Sequence, residues 1–188
     1  MGLKKVLPLL LAVVLLTGCS RTPKEVERAL ALRTRLLQAS TCAFDAEITA
    51  DYGEILHVFR MNCTVDDQGG VSFCVTAPES IAGITGTLSK QGGALTFDDT
   101  ALYFDLLADQ QLSPVSAPWV LMKALRGGNI TSAGVEKGSL RISVDDSYEE
   151  NALNLEVWLD SEDIPQRADI CYAGKRILSL NLENVRIS

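Results

Sequence analysis

A single histidine, His57, is all that this chain of 188 residues offers for proton transfer near neutral pH. Neither a Gly-x-Ser-x-Gly elbow, a His-Glu-x-x-His helix nor a phosphate-cradling glycine loop occurs in it. The five cysteines never stand at Cys-x-x-Cys spacing, which argues against zinc and against thioredoxin-like redox chemistry. Basic charge is in short supply too, with 17 Lys+Arg against 24 Asp+Glu. Nucleic acid and anionic lipid headgroups both need a basic face, so neither is expected as a partner. The paired acids Asp66-Asp67, Asp98-Asp99, Asp145-Asp146 and Glu149-Glu150 sit at turn positions and lack the interval-spaced ligands of a calcium loop. No metal, cofactor or catalytic residue is therefore expected, and the chain does not read as an enzyme.

What the chain does have is one long apolar run, placed at its start. Lys4 and Lys5 precede Val6 to Leu16, eleven residues that are almost wholly apolar. Eleven residues are too few to cross a bilayer core of roughly 30 Å as a helix. A small-residue step follows, Leu16-Thr17-Gly18-Cys19. This reads as a secretory signal over residues 1–18, cut between Gly18 and Cys19. Leu-Thr-Gly-Cys resembles the lipobox of bacterial lipoproteins. That resemblance makes Cys19 the lipid attachment site: its sulfur takes a diacylglycerol, and acyl chains such as palmitate anchor the new amino end. Two chains hold stably where one is marginal, at about 0.8 kcal/mol per buried CH₂. The expected location is the extracytoplasmic face of the cell membrane. Removing residues 1–18 takes away two lysines and no acid, leaving 15 Lys+Arg against 24 Asp+Glu and a net charge of −9.

Residues 19–22 form a short tether, and residues 23–188 suit one domain with a sizeable core. Thr22-Pro23-Lys24-Glu25 reads as a helix start with a capping box. Val26, Ala29, Leu30, Leu36 and Leu37 follow at helical spacing, with Arg33 in the middle of that face. From Cys42 the period becomes two. Strands are expected over 42–50, 55–65, 71–77, 81–90, 94–97 and 102–105, then a short helix from Ala117-Pro118-Trp119 to about Arg126. Strands over 131–136, 139–145 and 153–160 and a hairpin over 167–187 complete the chain.

A two-residue turn at Tyr52-Gly53 pairs positions that sum to 105. Phe44 then faces Met61, Ala46 faces Phe59, Ile48 faces His57, and Cys42 faces Cys63 as a disulfide candidate. Export permits oxidation. A three-residue turn puts Asn62 opposite Cys42 instead, and a turn at Gln68-Gly69 sets Cys74 across from Cys63. Free buried thiols acting as small hydrophobes are a further alternative. His57, on the apolar face beside Ile48 in this register, reads as structural.

Several short pieces recur in a recognisable order. Ala77-Pro78-Glu79 closes a strand and leads into Ile81-Ala82-Gly83-Ile84. Ser113-Pro114 precedes the helix ending Leu121-Met122-Lys123-Ala124-Leu125-Arg126-Gly127-Gly128. Ile164-Pro165 precedes strands that end in Asn-Leu-Glu-Asn-Val. With the lipobox and leading helix, the order resembles small lipoproteins of Gram-positive bacteria that share the LolA/LolB lipoprotein-carrier fold. The resemblance implies an α+β fold that is mainly antiparallel β: a strongly curved, incomplete barrel covered by an N-terminal helix and a short mid-chain helix. It also implies an apolar concave face.

Two functions follow from this resemblance. One is binding or carrying a lipid or other hydrophobic ligand against Phe44, Ile48, Phe59, Leu88, Phe97, Phe104, Trp119, Leu125 and Trp158. The other is a non-enzymatic envelope or sporulation module that binds a partner protein on the same scaffold. Fold alone does not choose between them; an empty apolar cavity of several hundred Å³ favours the first, a filled interior the second.

Overall fold

Alternation of apolar and polar side chains from Cys42 onward builds one large sheet, and two helices lie on its apolar face. The computed structural model describes residues 23–51, 53, 55–97, 100–104, 107–108, 111–149 and 152–188. Helix α1 (Lys24–Gln38) leads into β1 (Thr41–Asp51), β2 (Leu56–Asp66), β3 (Val71–Ala77), β4 (Thr85–Ser89), β5 (Gly92–Phe97) and β6 (Thr100–Phe104). A minimal pair, β7 (Leu107–Ala108) and β8 (Gln111–Leu112), precedes α2 (Ala117–Gly127). Five strands follow: β9 (Asn129–Glu136), β10 (Ser139–Asp145), β11 (Asn154–Leu159), β12 (Pro165–Tyr172) and β13 (Lys175–Ile187). The stretch expected as one strand over 81–90 is a 3₁₀ turn at Glu79–Ile81 followed by β4.

Eleven strands form a single antiparallel sheet, ordered β6-β5-β4-β3-β2-β1-β13-β12-β11-β10-β9. The first and last strands pair in its middle. Among the described residues β6 and β9 lie at its two ends, each paired on one side only, so the barrel is incomplete, as expected. Bulges in five ladders add to the intrinsic right-handed twist and bend the sheet. The chain must travel from β6 to β9 across the open side, and α2 lies on that path. Arg126 of α2 donates to the carbonyl oxygens of Asp66 (3.0 Å) and Asp67 on one wing, and Lys123 pairs with Asp146 at 3.0 Å on the other.

α2 is apolar on nearly every side, and Pro118 at its first turn suits a position whose N–H has no helical partner. It buries Trp119, Val120, Leu121, Met122 and Leu125 against the sheet. α1 buries a narrower stripe, Ala29, Leu32 and Leu36, and leaves Leu30 and Leu37 exposed. The i, i+3, i+7 stripe is thus the packed one, displacing the face that had counted Leu30 and Leu37. Pro23 occupies the N-cap with no side-chain bond, and Thr22 of the expected capping box lies outside the described residues.

Gly128 ends α2 where the chain turns into β9. A Cβ there would stand 2.6 Å from the Asp145 carbonyl oxygen, 2.6 Å from Val144 Cγ1 and 2.8 Å from the Ala124 carbonyl oxygen. Two of these neighbours are backbone and cannot yield. Gly128→Ala is expected to cost about 1–3 kcal/mol in urea unfolding, the range for overpacking.

Candidate functional site

The concave face was the expected ligand site. Phe44, Ile48, Phe59, Leu88, Trp119 and Leu125, six of its nine expected lining residues, lie in the core at 0–9% exposure. Leu155, Val157, Leu178 and Leu180 close the same cluster. The apolar crevice between α1, α2, β1 and β13, bordered by Phe44, Met122 and Leu182, measures about 10 Å³. A single water would fill it. Helices and sheet pack together there without ligand-sized space.

Trp158 does not face this interior. Leu155, Val157 and Leu159 of β11 point inward, so Glu156 and Trp158 point to the other face of the sheet. There the indole lies between two guanidinium groups, Arg141 at 5.9 Å and Arg167 at 4.7 Å, and its Nε1–H donates to Glu136 at 3.3 Å. Arg141 donates to Glu156 at 2.7 Å, and Arg167 to Asp169 at 2.8 Å. The cations are thus held by carboxylates of their own face. The polar positions alternating with Leu155 and Val157 were the signal that places Trp158 outside.

Phe97 differs again. One inward-facing row of the sheet runs Phe73, Gly86, Leu95, Leu102. Phe73 is buried and its ring covers Gly86, where a Cβ would meet the ring at 2.6 Å. Leu95 is half-buried and Leu102 is 63% exposed. The helices therefore cover this row only as far as β4. Phe97, one row along, is 53% exposed, and Tyr103 on the outer face is 80% exposed. The side chain of Phe104 lies outside the described residues.

A groove of about 630 Å³ opens between α2 and the turns joining β2 to β3 and β4 to β5. The charged side chains of Asp66, Lys90, Lys123, Arg126 and Asp146 line it together with Trp119. Lys123 stands 5.6 Å above the Trp119 ring and pairs with Asp146, whose second oxygen accepts the Leu153 N–H at 2.8 Å. Sequence reading passed over this groove, because its walls come from turns far apart in the chain.

The β1–β2 register corrects the cysteine pairing. Asp51 pairs with Leu56 across a four-residue loop, so paired positions sum to 107. Cys42 faces Val65, Cys63 faces Phe44, and His57 faces Ala50 at an exposed position. Cys42 and Cys63 are diagonal neighbours, which stand roughly 7 Å apart, beyond the reach of a disulfide. The four described cysteines are free thiols.

Burial pushes the Cys42 thiol up to about 11, with Arg126 opposing, and burial with the Asp45 charge raises that of Cys63 further. A raised folded pKa favours the neutral thiol. Its stability contribution is therefore complete below about pH 9 and disappears between pH 9 and 11. Cys42 alone is expected to withdraw about 3 kcal/mol over that window, at 1.36 kcal/mol per pKa unit. Urea midpoints at pH 8 and pH 11 check this. Native alkylation at pH 8 should spare both thiols.

Among the described residues, no three His, Cys, Asp or Glu side chains stand close enough to hold a metal ion, and no helix is long and apolar enough to cross a membrane. The signal segment and Cys19 lie outside the described residues. No protein-family model matches the chain, and no curated protein matches it. Among solved structures, the chain is similar to a LolA superfamily protein from Nitrosomonas europaea, at 8% identity and TM-score 0.47 over 85% of this chain and 93% of that one. It is also similar to the lipoprotein LppX of Mycobacterium tuberculosis, at 12% identity and TM-score 0.41 over 86% and 93%. A third is a chain of the complex between the CwlD amidase and the GerS lipoprotein of Clostridioides difficile, at 8% identity and TM-score 0.43 over 90% and 99%.

Proposed function

We propose that this chain is a non-enzymatic lipoprotein, anchored through Cys19 after cleavage behind Gly18 on the outer side of a Gram-positive cell membrane, and that it binds a protein partner on its surface. The packed concave face carries this reading. Holding an acyl chain there would require displacing side chains such as Ile48 and Leu125, which are 0% and 3% exposed. Each fully buried side chain of this kind contributes roughly 1.5–3 kcal/mol, so opening the interior for a ligand has a large cost before any binding begins. A second reading, a hydrophobic ligand held outside the core, draws on the exposed Phe97 and Leu102 at the uncovered end of the concave face.

The test is to purify the full chain from membranes, extract it with organic solvent and weigh what is released. We expect acyl chains attached covalently at Cys19 and no free lipid at one molecule per chain. Stoichiometric free lipid sinks the partner reading. Crosslinking in cells should then recover one protein reproducibly. A Cys19→Ala chain is expected to keep residues 1–18 and to take up no labelled palmitate.

A further inference from the structure

We infer that the partner protein docks on the outer face of β10 to β13, seating one of its own carboxylate side chains on Arg167 and Arg176 beside Trp158. The inference rests on the partner-binding reading and names the surface and the group it takes. Strand register builds the patch. Arg141 of β10 pairs with Trp158 of β11, and Trp158 with Arg167 of β12. In the neighbouring row Ser143 stands beside Glu156, and Glu156 beside Asp169. The core of these strands is filled from the other side by Leu140, Ile142, Leu155, Val157, Ala168 and Ile170. The indole and its two cations are therefore not needed for packing the interior. Tryptophan and arginine are the side chains that most often anchor protein contacts.

The charges are sorted by depth. The side chains of Arg141, Arg167 and Arg176 are 43%, 46% and 52% exposed, whereas those of Glu156 and Asp169 are 18% and 11% exposed. Carboxylates lie low and guanidiniums stand out, so the face offers N–H donors to an incoming group. Asp169 Oδ1 accepts no bond but is itself buried, out of a partner's reach. Arg167 spends one N–H on Asp169 at 2.8 Å, and Arg176 Nη1 stands 3.8 Å from the same carboxylate, too far for a hydrogen bond. Their remaining donors are unspent, and planar forks already held in place lose little freedom on taking a carboxylate.

Charge also limits the occupant. Acids stand at both ends of the patch: Glu136, which accepts from Trp158, and Glu47, which lies beyond Asn181 in the row of Arg167. A run of acidic residues would meet them, whereas a single carboxylate between them does not. A second copy docked about a two-fold axis would lay guanidinium against guanidinium. An anionic bilayer repels a chain that carries −9 once residues 1–18 are gone.

The experiment uses the ¹⁵N-labelled full chain in detergent micelles and the capped peptide Gly-Ser-Glu-Ser-Gly. We expect saturable NMR shifts at the Trp158 indole N–H and the Arg167 Nε–H, with the Trp119 indole on α2 unmoved. Glutamine for glutamate in the peptide should weaken binding by roughly tenfold, since the bonds to a charged group are lost. Arg167→Gln leaves Asp169 buried without its donor and can unsettle the fold. Arg176→Gln, at an exposed position, is therefore the deciding variant. It should weaken the peptide by roughly tenfold with unchanged circular dichroism.

No shift with the glutamate peptide, equal binding by the glutamine peptide, full binding by Arg176→Gln, or shifts confined to other strands overturns the inference. A dimer that Arg176→Gln disperses also overturns it, since the face then belongs to a second copy. The two readings fail separately. Stoichiometric lipid in the extract removes the partner reading, whereas a cellular crosslink that survives Arg176→Gln removes only this patch.

Discussion

Truncating Phe44 to alanine is expected to lower the unfolding free energy by about 3–5 kcal/mol, the range for removing a ring from a packed core. The ring is 4% exposed and sits opposite Cys63, with the α2 side chains Leu121, Met122 and Leu125 across the narrow apolar crevice. The surroundings come from three elements and cannot all collapse at once, so a cavity term adds to the lost transfer energy. Ile48→Ala should cost about 2–5 kcal/mol for the same reason, since Ile48 is flanked by Phe59 and Leu180 and is wholly buried. These values also distinguish the functions. A Phe44 ring facing an open ligand cavity would already lack partners on one side, and its removal would leave no new void. Urea unfolding of the delipidated chain decides. A cost below about 1.5 kcal/mol for both variants would mean that the concave face is not packed, and the partner reading would lose its main support. The Phe44→Ala cavity should in turn admit a small apolar probe such as benzene, as dry engineered cavities do.

Most of this packing was legible as alternation. In β1 the sequence alternates Phe44, Ala46, Ile48 and Ala50 with Asp45, Glu47 and Thr49, and the burial follows that pattern throughout. Register was not legible, for a definite reason. A sum of 105 and a sum of 107 differ by two residues, so each side chain keeps its face and apolar still meets apolar. The four-residue loop decides between them. In the observed register Phe44 stands against Cys63, Met61 against Ala46 and Ile48 against Phe59, and His57 moves out to the exposed end of the hairpin. Trp158 was misplaced because its size was weighted above its position between Glu156 and Asp160. The exposure of Phe97 was hidden in a related way: it was expected to line the concave face, and only the reach of the helices leaves it and Leu102 uncovered.

Arg33 shows how a sequence anomaly becomes a structural device. It stands on the packed side of α1, where an apolar residue would be expected. In the fold its Nε donates to the Leu125 carbonyl oxygen at 2.9 Å and its Nη2 to the Gly128 carbonyl oxygen at 2.7 Å. These carbonyls lie at the C-terminal end of α2, where helix oxygens lack helical partners and the macrodipole is negative. Partial burial lowers the Arg33 guanidinium pKa, yet two charge-assisted bonds hold it. Arg33→Ala is expected to cost about 3 kcal/mol, because bonds to charged groups contribute roughly 1.5–3 kcal/mol and two carbonyls lose their partner. Arg33→Lys should recover only part, since an ammonium cannot reach both oxygens in the fork geometry. Arg28→Ala removes the half-exposed pair with Asp163 and should cost under about 1 kcal/mol. Urea unfolding of the three variants orders them. If Arg33→Ala and Arg28→Ala cost the same, α1 is held by its narrow apolar stripe alone, and the bond between the helices contributes nothing to keeping the concave face closed.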